Sequence, residues 1–456
     1  HMQLNIDRNP GINDLWFLPL GGCGEIGMNL NLIGHNSEWL MVDCGINITS
    51  APLSGAQPLI EIPYTDFIDK QKSALQGILI THAHEDHFGA LSWLWSRWRC
   101  PVFGTAFTLS VIRRKALMRG LAPPDLMLET KFGERTQHGS FSVIWHPMTH
   151  STPENCALEI TTSAGTIFHS SDWKMDKNPQ IGKSFRPNRY ASIGERGVDA
   201  FICDSTNAQD PGFSASEGDI VPAIRQILAK ERGRVIVGCF SSNIARINTI
   251  AKIAVKSGRY VGLLGRSLSV MVECAKERGY LDSSINWVDS EHIGYLPKNE
   301  VLIFATGSQG ELGAALSKLA MDSHRSVSLD AGDAVIFSSS IIPGNEFVVN
   351  RLFHKLEGLG ATVFYPGNFD KTLHVSGHPC ENDLRQMYQL IRPKIAIPVH
   401  GEDTHLNANA DIALSCGIPD ALKGMNGDLF CIRPKPTIVR GFTKAGRLPL
   451  PELRKK

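Results

Sequence analysis

The stretch ILITHAHEDHFGAL, residues 78–91, places three histidines and two acids within six positions, directly after an apolar run. Imidazole and carboxylate are the donors a borderline cation such as Zn²⁺ prefers, and they must converge from several chain segments. In the run H-x-H-x-D-H, His82 and His84 project to one side. Asp86 and His87 project to the other, so one loop can serve two ions. A helix cap with solvated histidines is the bland alternative. Further candidate donors at the ends of strand-like runs, among them Asp43, Asp172 and Asp204, argue for the metal reading.

These donors need strands to carry them. LNLIG and EWLMVD read as a hairpin around HNS that ends at Asp43. ALQGILI runs into the histidine motif, and FGALSWLWSRW continues it with apolar residues at helical spacing. ALEITTSAGTIFHSSDWK reads as a second hairpin, turning at Ala164-Gly165 and delivering Asp172; DAFICDST delivers Asp204. From about residue 212 the pattern changes. RVIVGCFSSN, RYVGLLGRS, EVLIFATGSQG and AVIFSSSIIPGN are apolar strands closed by Gly, Ser or Asn, each followed by a helix-like stretch. Strand, loop and helix in repetition specify a parallel α/β domain. LHVSGH, a helix over 382–391 and KIAIPVHGE follow. The simplest architecture is one domain interrupted by another: 3–210 and 365–440 form the first, 211–364 the insertion, and 441–456 a C-terminal tail.

The 456 residues exceed one ordinary core. A net charge of +1 gives no global signal for nucleic acid, so a polyanion would be gripped by a local groove. No apolar run reaches membrane-spanning length and no signal pattern opens the chain, so no membrane association is expected. His1-Met2 resembles a cloning remnant. Ten scattered cysteines without a C-x-x-C pair read as free thiols of a reducing cytoplasm.

The motifs together resemble the metallo-β-lactamase fold, its β-CASP nuclease branch and, within that, the ribonuclease J family. The residues carrying this are LGGCGEIGMN (20–29), THAHEDHFGAL (81–91), THSTPEN (149–155), SDWKMD (171–176), DSTNAQDPGFSASE (204–217), ATGSQGE (305–311), IFSSSIIPGNE (336–346), HVSGH (374–378) and PVHGE (398–402). The resemblance implies an α/β architecture, a metallo-β-lactamase αββα sandwich with an inserted parallel α/β β-CASP domain. It implies two divalent ions, Zn²⁺ foremost, with Mn²⁺ or Mg²⁺ able to serve. One ion would take His82, His84 and His150; the other would take Asp86, His87 and His400; Asp172 would bridge them. Asp43 would orient a ligand histidine from behind. THSTPEN, and not HPMTH, matches the family, which favours His150 over His146.

The activity implied is hydrolysis of RNA phosphodiesters. His378, held by Asp204, would protonate the leaving 3′-oxygen, and Asp86 is counted with them as catalytic. His374, Val375, Ser376, Gly377 and His378, with Ser242 and Asn243 at a helix start, would hold a 5′-monophosphate and direct 5′-to-3′ trimming, alongside internal cleavage. Ser376→Ala, or a bulkier residue at Gly377, is expected to flatten that end preference. The loops GRS (265–267), TGSQGE and SSS are weak signals, since any parallel α/β domain carries such turns. Longer family members continue into a C-terminal domain that helps dimerisation. Here the recognisable core ends near residue 440, so a homodimer is expected without that aid. Three other readings compete: a small-molecule hydrolase of the same fold, a DNA nuclease of the Artemis type, and a silent RNA-binding scaffold. The long interval between Asp172 and His400, the histidine in PVHGE and the complete set of ligand positions argue against each in turn.

Overall fold

The computed structural model describes residues 9–49 and 59–450, so 3–8, 50–58 and 451–456 of the expected segments lie outside the described residues. Two sheets face one another. One has eight strands, in the order Thr437–Val439, Leu429–Arg433, Leu15–Gly21, Leu30–His35, Glu38–Val42, Leu75–Leu79, Val102–Gly104 and Met127–Glu129. The other has seven: Asp420–Ala421, Ile395–Val399, Ala200–Asp204, Gly165–His169, Cys156–Thr162, Phe141–Pro147 and Arg135–His138. Side chains alternate across each strand. Leu15 and Phe17 enter the core between the sheets with Val143, Trp145, Ile202 and Ile397, while Trp16 and Leu18 face the outer side. Helices Leu91–Trp98 and Ala106–Met118 bury against the first sheet. Helices Pro187–Arg196, Glu381–Ile391 and Asp403–Ser415 cover the second. Strands buried on both faces explain the near-continuous apolar runs of the sequence. The result is the expected αββα sandwich. Both expected hairpins form, with Leu30–His35 against Glu38–Val42 and Cys156–Thr162 against Gly165–His169.

The sandwich is discontinuous in sequence. Leu429–Arg433 pairs with Leu15–Gly21, and Ile395–Val399 pairs in parallel with Ala200–Asp204. Between these halves lies a wholly parallel six-stranded sheet, ordered Trp287–Val288, Tyr260–Leu264, Val301–Ala305, Val235–Gly238, Ala334–Phe337 and Thr362–Phe364. The four strands read from sequence are its centre. The two edge strands are only two and three residues long, too short to register as a pattern. Three of the four following helices begin at the expected turns; the helix after Val301–Ala305 begins only at Ala315. Gly307, Gly310 and Gly313 all take positive φ before it and hold the chain out as a loop. Residues after Gly441 turn back: Arg447–Pro449 pairs with Leu59–Pro63, and Arg447 ion-pairs with Glu25 at 2.6 Å.

The two domains meet along helices Ala106–Met118 and Arg266–Glu277, where Arg114 pairs with Glu273 and Glu277. Tyr280 of the insertion donates to Glu154 in the loop that carries His150. Between the domains lies a cavity of about 800 Å³. All ten cysteines are free. Among the described residues, no helix is long and apolar enough to cross a membrane.

Candidate active site

Strand ends on one side of the sandwich open into this cavity and deliver the donors. His82 and His84 follow Leu75–Leu79, and His84 is the residue preceding the short helix Glu85–Phe88. His150 follows Phe141–Pro147, Asp172 follows Gly165–His169, Asp204 closes its strand and His400 follows Ile395–Val399. The chain must bend sharply at these ends. Asp43, Ser171 and His400 take positive φ of 64°, 55° and 57°, the local strain found where side chains are aimed into a site. Gly45 is required by close approach, because a Cβ there would lie 1.7 Å from the Asp86 carbonyl oxygen.

His82, His84, His150 and Asp172 form one cluster, and His87, Asp172 and His400 form a second. His82 Nε2 and His150 Nε2 lie 3.1 Å and 3.3 Å from His84 Nδ1. Burial, then the neighbouring imidazoles, lowers the pKa of His84 and His150; burial and His87 lower that of His82. Three neutral imidazole edges thus face a common point. His150 donates from Nδ1 to the Gly377 carbonyl at 2.7 Å, which turns its Nε2 lone pair inward. In the second cluster, Asp172 stands 3.0 Å from His87 Nε2 and 3.2 Å from His400 Nδ1. Burial works against a charge on His87, yet Asp172, Asp86 and Asp43 hold its pKa well above the usual value. A divalent cation would satisfy that negative field in place of the proton. The donor set therefore fits two cations sharing Asp172. Asp86 carries its carboxylate 3.7 Å from His87 Nε2 and lies outside the tight three-residue cluster. Asp43 accepts from His87 Nδ1 at 2.7 Å and from the Thr81 N–H at 2.8 Å.

His378 stands beside both clusters. Its Nδ1 donates to Asp204 Oδ2 at 2.6 Å, and its ring lies 5.4 Å from that of His150. Burial disfavours its charged form, but Asp204, Asp172 and Asp86 outweigh this and raise its pKa to about 9. Asp204 is fixed in turn: its Oδ1 accepts from the Thr206 N–H and hydroxyl, and Thr206 Oγ1 reaches the His400 carbonyl at 3.2 Å. The Asx-turn and the histidine contact coexist.

HVSGH lines the same cavity, as do Ser242 and Asn243. Ser376 Oγ accepts from Asn207 Nδ2 at 2.7 Å, and its carbonyl accepts from Lys174 Nζ at 2.9 Å. Asn243 caps helix Ile244–Lys256 by accepting from the Arg246 N–H. Its side-chain oxygen is therefore committed to the helix. The expectation for Gly377 needs correction: a Cβ there would lie 2.9 Å from the His150 ring, so a bulkier residue would strike a candidate ligand before it altered the recess. His146, the competitor of His150, is instead bonded to Glu159 at 2.9 Å.

Arg246 and Lys174 escaped the sequence reading. Arg246 is fully buried, paired with Glu217 at 2.6 Å, and donates to the Val375 carbonyl and to His374 Nδ1. Burial and the charges of Arg246 and Lys174 push His374 down to about 3, so it is neutral. The available signals were slight: a charge inside the apolar period IARINTIAKIAVK, and a lysine two residues after Asp172. Asn29 was also missed; its N–H donates to the Asp86 carbonyl and its amide lies 3.2 Å from His87 Nε2.

Family models match in three pieces: "Metallo-beta-lactamase superfamily" over residues 27–172, "Ribonuclease J, beta-CASP domain" over 232–356, and "Zn-dependent metallo-hydrolase RNA specificity domain" over 369–413. Ribonuclease J of Sinorhizobium meliloti is 40% identical over 439 residues, covering 95% of this chain and 77% of that protein. Ribonuclease J of Mycolicibacterium smegmatis is 38% identical over 404 residues, covering 88% and 71%. Ribonuclease J of Helicobacter pylori is 36% identical over 424 residues, covering 92% and 60%. A crystal structure of a protein of unknown function from Enterococcus faecalis shares the fold, with a TM-score of 0.61 at 15% identity, covering 92% of this chain and all of that one. Likeness of this extent, with His/Asp clusters that suit divalent cations, shows that the chain belongs to the ribonuclease J family and is a metal-dependent hydrolase acting on RNA.

Proposed function

We propose that this ribonuclease is a 5′-to-3′ exonuclease that prefers a 5′-monophosphate end and also cuts RNA internally. The observation that carries this is the HVSGH segment. Its Gly377 carbonyl holds the candidate ligand His150, its His378 is the candidate proton donor, and His374 and Ser376 line a polar recess of the same cavity. Ser376 and His378 are two residues apart, so at most about 7 Å separates them along the chain. A terminal phosphate in the recess and the bond to be cut are therefore neighbours, as mononucleotide release requires.

In this reading His82, His84 and His150 hold one ion, Asp86, His87 and His400 the other, and Asp172 both. Zn²⁺ suits the three-imidazole side best; Mn²⁺ or Mg²⁺ can serve where carboxylates contribute more. When bound, such ions supply Lewis acidity at the phosphodiester and an acidified water. The chain's own residues do the rest. Asp43 fixes the tautomer of His87. Asp204 holds His378 by Nδ1, which leaves Nε2 free to give its proton to the departing 3′-oxygen. Ser376, neutral His374 and the helix start at Ser242-Asn243 offer hydrogen bonds to one terminal phosphate. A 5′-hydroxyl leaves those groups unpaired, at about 1–3 kcal/mol where they are buried. The resemblance adds a homodimer, which light scattering tests; free cysteines support a cytoplasmic setting.

The deciding experiment gives the purified protein one labelled RNA with a 5′-monophosphate, a 5′-triphosphate or a 5′-hydroxyl, plus the matched DNA. Mononucleotides should come fastest from the monophosphate, more slowly from the hydroxyl and poorly from the triphosphate, with DNA resistant. Ser376→Ala should narrow these differences and spare internal cuts. Equal mononucleotide release from all three RNAs removes the pocket and leaves a plain two-metal endonuclease.

A further inference from the structure

Several charged side chains of the cavity, among them Lys115, Arg119, Glu85, Asp176 and Glu311, have no part in the chemistry above, and Lys115 is the most deeply set cation of these. Lys115, on helix Ala106–Met118, is only 4% exposed, yet it lines the cavity wall. Its Nζ donates to the Ser267 hydroxyl, and the nearest carboxylate oxygen, Glu85 Oε1, is 3.8 Å away. An ammonium carries three donors. One is taken by a neutral hydroxyl, and 3.8 Å is beyond hydrogen-bond reach. Arg119, one turn along, takes the other Glu85 oxygen at 2.9 Å and rests over the Trp93 ring. Two cations thus share one carboxylate, and the wall keeps an excess positive charge with donors to spare.

The position of this charge matters as much as its sign. Glu85 lies between His84 and Asp86, so the cation pair stands directly beside the ligand loop. Ser267 Oγ lies 2.9 Å from Ser241 Oγ in the turn 240–243, and the far end of that turn, Asn243, leads into Arg246 and the His374 recess. The charged wall and the recess are therefore two banks of one cavity, joined by a single turn. A tie between the two domains would not by itself call for an ammonium, because a neutral donor serves a serine hydroxyl as well. A buried ammonium is tolerated when an anion completes its shell.

We propose that Lys115, aided by Arg119, binds a phosphate of the RNA strand distinct from both the one at the metal clusters and the terminal one in the HVSGH recess. This rests on the ribonuclease reading of the cavity and adds a third anchor to it. Phosphate contacts set register without reading sequence. A third phosphate contact adds affinity and fixes the path of the strand through the cavity, while the end in the recess sets which linkage meets the metals.

The test is a linkage walk. A set of 5′-monophosphorylated RNAs carries one uncharged methylphosphonate at each successive linkage. Affinity is measured with His378→Ala protein, with and without Lys115→Gln, and cleavage with the corresponding proteins that keep His378. With Lys115 present, one linkage other than the scissile one should cost several-fold in affinity. With Lys115→Gln, the all-phosphate RNA should bind several-fold more weakly, that linkage should cost nothing further, and the slope of log affinity on log salt should flatten by about 0.7. Lys115→Arg should restore the linkage dependence. Ser267→Ala, which removes the domain tie and keeps the charge, should retain it, and metal content should match wild type throughout. Arg119→Gln provides a second, milder probe of the same linkage. Unchanged sensitivity at every linkage in Lys115→Gln overturns the proposal, and so does its loss in Ser267→Ala. If the wild type cleaves none of the RNAs while the affinity pattern persists, the proposed activity fails and the subsite stands.

Discussion

Asparagine at position 43 separates geometry from charge at the candidate metal centre. In the native arrangement Asp43 Oδ1 accepts from the Thr81 N–H at 2.8 Å and Oδ2 accepts from His87 Nδ1 at 2.7 Å. His87 therefore donates from Nδ1 to Asp43 and, without metal, from Nε2 to Asp172; a bound cation would replace the Nε2 proton and take up the lone pair it leaves. Asparagine has one acceptor oxygen. If that oxygen serves Thr81, the amide NH₂ faces His87, whose Nδ1 must then accept, moving the proton to Nε2. A protonated Nε2 cannot ligate. The opposite rotamer leaves the buried Thr81 N–H facing NH₂, at about 1–3 kcal/mol. Loss of such an orienting carboxylate typically weakens metal binding 10–100-fold, or about 1.4–2.7 kcal/mol. The loss should fall on one ion. His84 and His150 make no hydrogen bond to Asp43, and His82 reaches it only through Thr81 Oγ1. Metal-stripped Asp43→Asn protein titrated against a chromophoric chelator should bind one equivalent near wild-type affinity and the second 10–100-fold more weakly. Calorimetry should confirm a cooperative fold. Two equivalents bound at wild-type affinity by the folded variant would refute the tautomer argument.

Three further outcomes are expected. His378→Ala should keep its metals and its affinity for RNA while turnover falls about 10²–10⁴-fold; metal lost along with activity would make His378 a ligand. Arg246→Met strands the buried carboxylate of Glu217 and should destabilise the fold by about 3–5 kcal/mol in denaturant titrations, with Arg246→Met/Glu217→Leu recovering part of it. Equal stability of the single variant and wild type would show that Glu217 finds another partner. His138, bonded to Thr136 and stacked edge-on to Phe103, is pushed by burial from 6.5 down to about 4. Below pH 6.5 the unfolded chain takes up this proton and the folded chain does not. Stability is therefore full above pH 6.5 and falls toward pH 4, by up to about 1.4 kcal/mol per unit. His138→Gln should flatten that part of the pH–stability curve, and an unchanged slope rejects the assignment.

His82, His84 and His87 lie in the two clusters with Asp172, while Asp86 stays outside them; the strand ends that carry such donors are written in apolar patterning. His82, His84, Asp172 and Asp204 are legible for that reason, whereas His150 and His400 are named through the family resemblance. The hairpins and the four central strands of the insertion were legible on the same grounds. What escaped depends on contacts between distant segments. Nothing local in IARINTIAKIAVK says that Arg246 meets Glu217, nor that Asn29 will support the backbone of Asp86. From sequence Gly377 is part of a phosphate recess open to a bulkier residue; only the folded chain shows the His150 ring packed against it. The edge strands Trp287–Val288 and Thr362–Phe364 exist because a neighbouring strand offers them hydrogen bonds, which no local pattern encodes.

The discontinuous sandwich also sets an order in time. A nascent chain presents His82, His84, His87, His150 and Asp172 early, but the sheet that carries His150 and Asp172 lacks its Ile395–Val399 neighbour until the whole insertion has been made. His378 and His400 arrive with that last portion, and Leu429–Arg433 closes the other sheet later still. Domains generally fold as units during synthesis. The insertion can thus complete itself while the flanking halves wait. An enzyme that destroys RNA is in this way built with its candidate metal centre completed only after most of its own message has been translated.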